Sequence, residues 1–472
     1  MRLGFRLTAV ALVVGLNAGF GVSGTAFADR PPAIDPGMRP SGDPAAPPDK
    51  TERGSGANGL CFRTQASTAT AVIPPSQRSL DLERAWEFSR GAGQLIAVID
   101  TGVQPHPRLP DLWAGGDYVA AGGNGTEDCD VHGTVVAGII GATQVKNEGF
   151  SGVAPEARIL SIRQTSSLYQ TEGAGRDKTP EDRPDGYGKV SSLASAIVRA
   201  ADFGARVINI SLVSCLSASP ADVSAFRALG AAVQYAAVEH DAVIISAAGN
   251  TDDACKSGNP GTNPLKPAQD LWSTIRTYVN PAWYDDYVLS VGAIDANGAP
   301  SSFSVPGPWV GIAAPGEGIT SLDARTTGIS DGKYDNQGKY LAYSGTSFAS
   351  PYVAGVAALV RDRFPDLSAK QVIERLQATA HAPAEGWNPY IGYGAVDPVA
   401  ALTNEVPKEL PPKQASPARS QQLAVPAPPP PADNTARNVA LIGSGAIGLI
   451  LVLGVLASFP IRRKFGMSVD DL

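Results

Sequence analysis

IAVIDTG, residues 96–102, is the stretch of sequence that indicates the fold most directly. Its run of branched apolar residues predicts a buried strand of a parallel sheet, because such strands are covered on both faces. Asp100 follows the run directly, and Thr101 and Gly102 predict a turn after it. Since open α/β sheets carry their active sites at the carboxyl ends of the strands, Asp100 is a candidate catalytic residue.

Two further blocks place a histidine and a serine at the start of predicted helices. VHGT, residues 131–134, precedes a run of small and apolar residues, so His132 is expected near the N-terminus of a buried helix. GTSFASP, residues 345–351, places Ser347 after a tight Gly-Thr pair and before a second small-residue helix. Acyl transfer by a serine needs an imidazole that takes its proton and a carboxylate that orients the imidazole. Each block alone is compatible with an ordinary turn, but together they predict a triad of Asp100, His132 and Ser347.

The other three histidines lack comparable flanking sequence. His106 lies in a Pro-flanked loop, His240 precedes an apparent strand and His381 sits in an Ala/Pro-rich segment. We expect surface or core roles for all three.

A fourth block, VIISAAGN (residues 243–250), is an apolar strand that ends in Gly-Asn. Gly-Asn alone most often marks a turn. Here it would present the amide of Asn250 at the carboxyl edge of the same sheet. Asn250 is therefore the predicted side-chain donor of an oxyanion hole, with the backbone N–H of Ser347 as the second donor.

The order Asp, His, Ser is that of the subtilisins, and the chain resembles the subtilases over about residues 80–403. The segments GVAPEA (152–157) and VINISL (207–212) match the family pattern as well. The resemblance implies a serine endopeptidase with a three-layer α/β fold of subtilisin type. In that fold a mostly parallel central sheet is flanked by helices.

A predicted signal peptide at residues 1–28 and an uncharged apolar run at residues 439–459 flank the catalytic unit. With these flanks the chain more narrowly resembles the mycosins, the membrane-anchored proteases of type VII secretion systems. Residues 1–28 predict a secretory signal, since Arg2 and Arg6 precede an apolar stretch and the small-residue cleavage site AFA. The resemblance implies exported proteins or peptides as substrates and subunits of the secretion membrane complex as partners.

The C-terminal region predicts one transmembrane helix. Residues 439–459 carry no charge and, at about 1.5 Å per residue, are long enough to cross a hydrocarbon core of about 30 Å. A buried core helix is the alternative. Arg462, Arg463 and Lys464 follow the apolar run, so the positive-inside rule predicts a short cytoplasmic tail and a catalytic part on the outer face of the cell membrane.

The predicted organisation has six parts. They are a signal peptide (1–28), a Pro-rich N-terminal extension (29–79), a subtilisin-like peptidase domain (80–405), a Pro-rich linker (406–438), the transmembrane helix (439–459) and the cytoplasmic tail (460–472). The mycosin resemblance implies that the extension wraps the peptidase domain like a belt, whereas its composition equally allows a disordered linker. Two insertions are expected: a mobile polar loop at 164–189 and a segment at 251–284 whose aromatic residues pack onto the body.

The four cysteines, Cys61, Cys129, Cys215 and Cys255, fit an exported chain and allow three pairings. The mycosin resemblance implies the pairs Cys61–Cys129 and Cys215–Cys255. Zinc binding is the alternative, but no pair of cysteines or histidines has a suitable spacing. We expect no metal and no cofactor.

Charge limits the remaining functional classes. The net charge is −7, and the only basic run is the triplet after the apolar helix, so nucleic-acid binding has no support. Two alternatives to a secretion protease stay open. One is a structural component of the secretion complex in which proteolysis is dispensable, and the other is a surface protease with no secretion partner.

Overall fold

The computed structural model describes residues 30–44, 50–54, 60–173, 186–217, 224–251, 255, 258–262, 270–406 and 433–465. The predicted signal peptide, residues 407–432 of the predicted linker and the end of the predicted tail lie outside these residues. The chain divides into two compact units, Met1–Ala418 and Arg419–Leu472.

A seven-stranded parallel sheet is built around the predicted strand that leads to Asp100. In spatial order its strands are β12 (Val310–Pro315), β11 (Val288–Ile294), β9 (Val243–Ala247), β7 (Val207–Ile210), β3 (Leu95–Asp100), β5 (Arg158–Arg163) and β4 (Leu112–Asp117). All neighbouring pairs are parallel. Every residue of β3 is buried, as a central strand of a parallel sheet requires. The predicted mostly parallel central sheet is confirmed.

Helices cover both faces of this sheet. The helices of the first unit are α1 (Pro75–Arg78), α2 (Leu82–Ala85), α3 (His132–Gly141), α4 (Val190–Asp202), α5 (Ser224–Gln234), α6 (Thr346–Arg363), α7 (Ala369–Ala378) and α8 (Pro398–Thr403). Short helical turns of other types span Pro36–Met38, Tyr235–Glu239 and Leu271–Thr274.

Alternate side chains of β3 enter two different apolar clusters. Ile96 and Val98 join the cluster that contains α3 and α6. Ala97 and Ile99 join the cluster that contains α4 and α5. Because successive side chains of a strand point to opposite faces, the sheet lies between two helical layers. The three-layer subtilisin-type fold is confirmed.

The remaining strands form small sheets at the edges of the body. They are β1 (Thr51–Arg53), β2 (Arg63–Ala66), β6 (Tyr169–Thr171), β8 (Ser214–Ser217), β10 (Thr277–Asn280), β13 (Ser321–Leu322), β14 (Ile329–Tyr334) and β15 (Tyr340–Ala342). β8 pairs with β10, and β14 pairs with β13, β15 and β2, all antiparallel.

The described parts of the N-terminal extension lie on the body. β1 pairs with β6, β2 pairs with β14, and the hydroxyl of Tyr118 donates to the carbonyl of Gly42 at 2.7 Å. The extension is therefore held by backbone pairing at two places. This matches the belt that the resemblance implied and not the disordered linker that composition also allowed.

Two disulfides join segments far apart in sequence, and they follow the pairing that the resemblance implied. Cys61 is bonded to Cys129 and thereby ties the extension to the loop before His132. Cys215 is bonded to Cys255, which links β8 to the second insertion.

Parts of both predicted insertions have defined structure. In the first, β6 and a pair of backbone hydrogen bonds between Ser166 and Tyr187 organise the ends of the segment, and its mobility stays a prediction. Its middle, residues 174–185, lies outside the described residues. In the second, Trp272 and Trp283 are buried in one apolar cluster, as expected.

The second unit contains α9 (Thr435–Phe465), of which Thr435–Ser458 is long and apolar enough to cross a membrane. The helix extends beyond the predicted span of 439–459 at both ends. At its start the carboxylate of Asp433 accepts the N–H of Thr435 at 2.9 Å, which caps the first turn. The apolar pattern of the sequence thus predicted the membrane-spanning part of this helix but not its full length.

Candidate active site

Asp100 lies at the carboxyl end of β3, and its side chain is completely buried. Its Oδ1 accepts the N–H of Thr101 at 2.7 Å and lies 2.7 Å from Nδ1 of His132. With the ring proton on Nδ1 and donated to Asp100, Nε2 of the neutral imidazole is left as a proton acceptor.

His132 is the first residue of α3, and Ser347 is the second residue of α6. Nε2 of His132 lies 2.9 Å from Oγ of Ser347. The three residues that the sequence predicts as a triad therefore form one continuous chain of hydrogen bonds, from Ser347 through His132 to Asp100. This geometry can move a proton from the serine hydroxyl to the imidazole.

Close backbone packing holds the start of α3, with His132, against the turn that follows Asp100. A Cβ on Gly133, the residue after His132, would lie 2.0 Å from the carbonyl oxygen of Gly102. Only glycine lets the start of α3 approach the turn after Asp100 this closely.

Asn250, predicted as an oxyanion donor, lies just after β9. Its Oδ1 accepts the backbone N–H and the hydroxyl of Thr346, both at 3.0 Å. These two bonds fix the amide plane. A Cβ placed on Gly345 would lie 3.3 Å from Nδ2 of Asn250 and 3.1 Å from Oγ of Ser347, so both atoms border the space beside Gly345. That space suits the oxygen of a carbonyl group under attack by the serine.

Gly345 is the first residue of the tight Gly-Thr pair predicted before Ser347, and the structure shows why this position needs glycine. Its φ of 151° and ψ of 158° belong to a region that is essentially restricted to glycine.

Asp128 was not predicted from the sequence. It is completely buried, and burial raises its pKa to about 6. It accepts hydrogen bonds from residues beside both Asp100 and His132. Asp128 stands four positions before the start of α3, outside the N-cap position held by Val131, so no local sequence pattern identifies it.

The environment of His132 favours its protonated form. Burial of the ring opposes protonation, but the charge of Asp100 and the hydrogen bond to it outweigh burial, so the pKa of His132 lies above its ordinary value. The ring of Phe348 packs against the imidazole with centroids 4.9 Å apart. About a fifth of the His132 side chain (22%) remains exposed, so a substrate can reach it.

Lys333 adds a positive charge nearby. Its ammonium lies over the ring of Phe62, a residue of the N-terminal extension, at 4.2 Å from the ring centroid. Burial lowers the pKa of Lys333, and its charge in turn lowers that of His132.

The other three histidines contact residues outside the triad. The buried ring of His106 contacts the carbonyl of Gly328 at 3.2 Å, His240 packs on Tyr235, and His381 pairs with Asp397. In the part of the chain that the structure describes, no group of three or more His, Cys, Asp or Glu side chains is arranged to hold a metal ion.

Known proteins resemble this chain over most of its length. A family model described as the subtilase family matches residues 91–394. The chain is similar to Mycosin-3 of Mycobacterium tuberculosis, with 46% identity over 93% of this chain and 94% of the relative.

Two solved structures have the same fold over most of their length. The MycP3 protease from the type VII (ESX-3) secretion system gives a TM-score of 0.71 at 47% identity, over 79% of this chain and 100% of that one. A chain of the intact ESX-5 inner membrane complex gives a TM-score of 0.73 at 42% identity, over 91% of this chain and 99% of that one.

Replacing Gly345 by alanine should suppress the reactivity of Ser347, and it also strains the backbone, because a φ of 151° suits only glycine. The added methyl group would fill the space between Asn250 Nδ2 and Ser347 Oγ, and loss of one oxyanion donor typically costs about 100-fold in rate. The measurement is the rate at which a fluorophosphonate labels Ser347. Gly298→Ala is the control, because its φ of 81° is also unfavourable for alanine and its Cβ would meet nothing within 4 Å. Equal labelling rates for the two variants would contradict this reading of the space.

Proposed function

Because the chain belongs to the subtilase family of serine proteases and, within it, to the mycosins, we propose that it is a serine endopeptidase of exported proteins with Ser347 as its nucleophile. The observation that supports this assignment is the unbroken series of hydrogen bonds from Ser347 Oγ through His132 to Asp100. Asn250 and the start of α6 supply the oxyanion donors beside it.

The proposed mechanism assigns one role to each group. Oγ of Ser347 attacks the scissile carbonyl carbon while Nε2 of His132 takes the hydroxyl proton. The buried carboxylate of Asp100 stabilises the imidazolium that forms. His132 then gives the proton to the leaving amine, and water repeats the sequence to release the acyl group. Nδ2 of Asn250 and the backbone N–H of Ser347 bind the oxyanion in both halves.

We further propose that α9 anchors the protein in the cell membrane, with the catalytic unit outside and the residues after about 460 in the cytoplasm. The length and apolarity of Thr435–Ser458 support the anchor. The basic residues Arg462, Arg463 and Lys464 support the orientation by the positive-inside rule. As partners we propose subunits of a type VII secretion membrane complex, since a similar chain is part of the ESX-5 inner membrane complex.

A mainly structural role in that complex is the second candidate, and the same ESX-5 relative favours it. Two strains distinguish the candidates, one with Ser347→Ala and one lacking the whole chain. A protease predicts that Ser347→Ala alone abolishes cleavage of the exported substrates. A structural component predicts that secretion continues with Ser347→Ala and stops only in the deletion. Normal secretion and normal processing in both strains would contradict both candidates.

Replacing Asp100 by asparagine should change both the rate of peptide hydrolysis and its pH dependence. His132 acts as a base in its neutral form, so the rate rises as the pH rises through the pKa of His132. Asp100 raises that pKa, and its removal therefore moves the rising limb to lower pH. The plateau rate should also fall about 10,000-fold, because the ring loses its correct tautomer.

The measurement is the pH profile of kcat/KM for cleavage of an exported protein by the full chain. Asp295→Asn is the control, because that carboxylate only caps a turn through the N–H groups of Asn297 and Ala299. If the rising limb of the pH profile lies at the same pH in Asp100→Asn as in wild type, Asp100 does not set the pKa of His132.

A further inference from the structure

The carboxylate of Asp128 has no exposed surface and accepts four hydrogen bonds. Oδ1 accepts the hydroxyl of Thr101 at 2.9 Å and the backbone N–H of Val131 at 2.8 Å. Oδ2 accepts the backbone N–H of Thr134 at 2.8 Å and its hydroxyl at 2.6 Å. Both oxygens are thus held by two donors each.

These donors belong to the two segments that carry the triad acid and base. Thr101 directly follows Asp100 at the end of β3. Val131 and Thr134 lie on either side of His132 at the start of α3. The hydroxyl oxygen of Thr101 also accepts the N–H of Gly133 at 2.9 Å, which closes the link from the helix back to the turn.

The backbone before His132 needs such support. Val131 has a φ of 77°, a left-handed conformation that a β-branched residue rarely adopts. The bond from its N–H to Asp128 holds this conformation, and the conformation sets the direction in which the chain enters α3. A carboxylate at this point also suits the positive end of the helix dipole.

We propose that Asp128 is a positioning residue for the triad. Its carboxylate sets the separation of Asp100 from Nδ1 of His132, and through it the direction of Nε2 towards Ser347. This inference rests on the proposed function only for its effect on rate. The placement of the imidazole that it describes can be measured without any substrate.

The main test compares Asp128→Asn with wild type in the full chain. An asparagine offers one acceptor oxygen, and its NH₂ group would face the two donors of Thr134. We expect labelling of Ser347 by a fluorophosphonate to slow about 100-fold, the effect of roughly 1 Å of misplacement. We also expect a changed Nδ1–H resonance of His132 in ¹⁵N-histidine-labelled protein. Asp362→Asn is the control, since that carboxylate accepts the hydroxyl of Ser89 at 2.7 Å and the N–H groups of Gly91 and Ala92 at 3.2 and 3.3 Å, away from the triad segments, and it should leave both readouts unchanged.

A second pair of variants keeps the test independent of whether Asp128→Asn folds. Thr134→Ser retains the hydroxyl that donates to Asp128 and accepts the N–H of Gln104 at 2.9 Å, whereas Thr134→Val removes it. We expect the serine variant to keep the labelling rate and the His132 resonance of wild type and the valine variant to lose both.

The outcomes separate the two proposals. An unchanged His132 resonance in Asp128→Asn, or identical behaviour of the two Thr134 variants, would overturn the positioning role. If wild type itself fails to react at Ser347, the proposed function is wrong, and the resonance comparison still decides the role of Asp128.

Discussion

The hydrogen bond between the buried carboxylate of Asp100 and Nδ1 of His132 constrains the structure around it. An ionised carboxylate with no exposed surface is costly unless hydrogen-bond donors surround it. The N–H of Thr101 and the imidazole both donate to Oδ1, each at 2.7 Å, so the stabilisation of this carboxylate depends on these two donors. The fold must therefore bring the end of a central strand within hydrogen-bond reach of a helix start, and keep it there.

The fold meets this constraint at the carboxyl ends of its parallel strands and at glycines beside the helix starts. β3 delivers Asp100, β9 leads to Asn250, and two helices of the same layer begin at His132 and just before Ser347. Gly133 permits an approach to Gly102 that no side chain allows, and Gly345 adopts a φ of 151° that suits only glycine. The site is thus assembled from strand ends and helix starts, where backbone N–H groups are available for developing negative charge.

Local sequence patterns were sufficient to place Asp100, His132, Ser347 and Asn250 on their elements, because each block combines its functional residue with the strand or helix that carries it. The strand at Ile96 was readable since apolar residues continue on both faces. The role of Asp128 was not, because its bond to Thr101 joins segments that only the tertiary fold brings together.

Three other features could not be predicted from local sequence patterns. β6 lies in a polar insertion and pairs with β1, and its three residues are too few to form a periodic pattern that would predict a strand. The disulfide pairs followed from the family resemblance, since four cysteines allow three pairings and spacing does not choose among them. Apolarity likewise located α9 but not its first turn, which the side chain of Asp433 caps.

The central claim is that Ser347 is a nucleophile activated by His132, and the mass of the covalent product tests it most directly. In full-length wild type, a fluorophosphonate should lose fluoride and add its phosphonyl group to Oγ of Ser347 while His132 takes the proton. Peptide mass spectrometry should locate the adduct on the peptide that contains residues 345–351. His132→Ala should give almost no adduct in the same time. An adduct on another serine, or equal labelling of wild type and His132→Ala, would contradict the account.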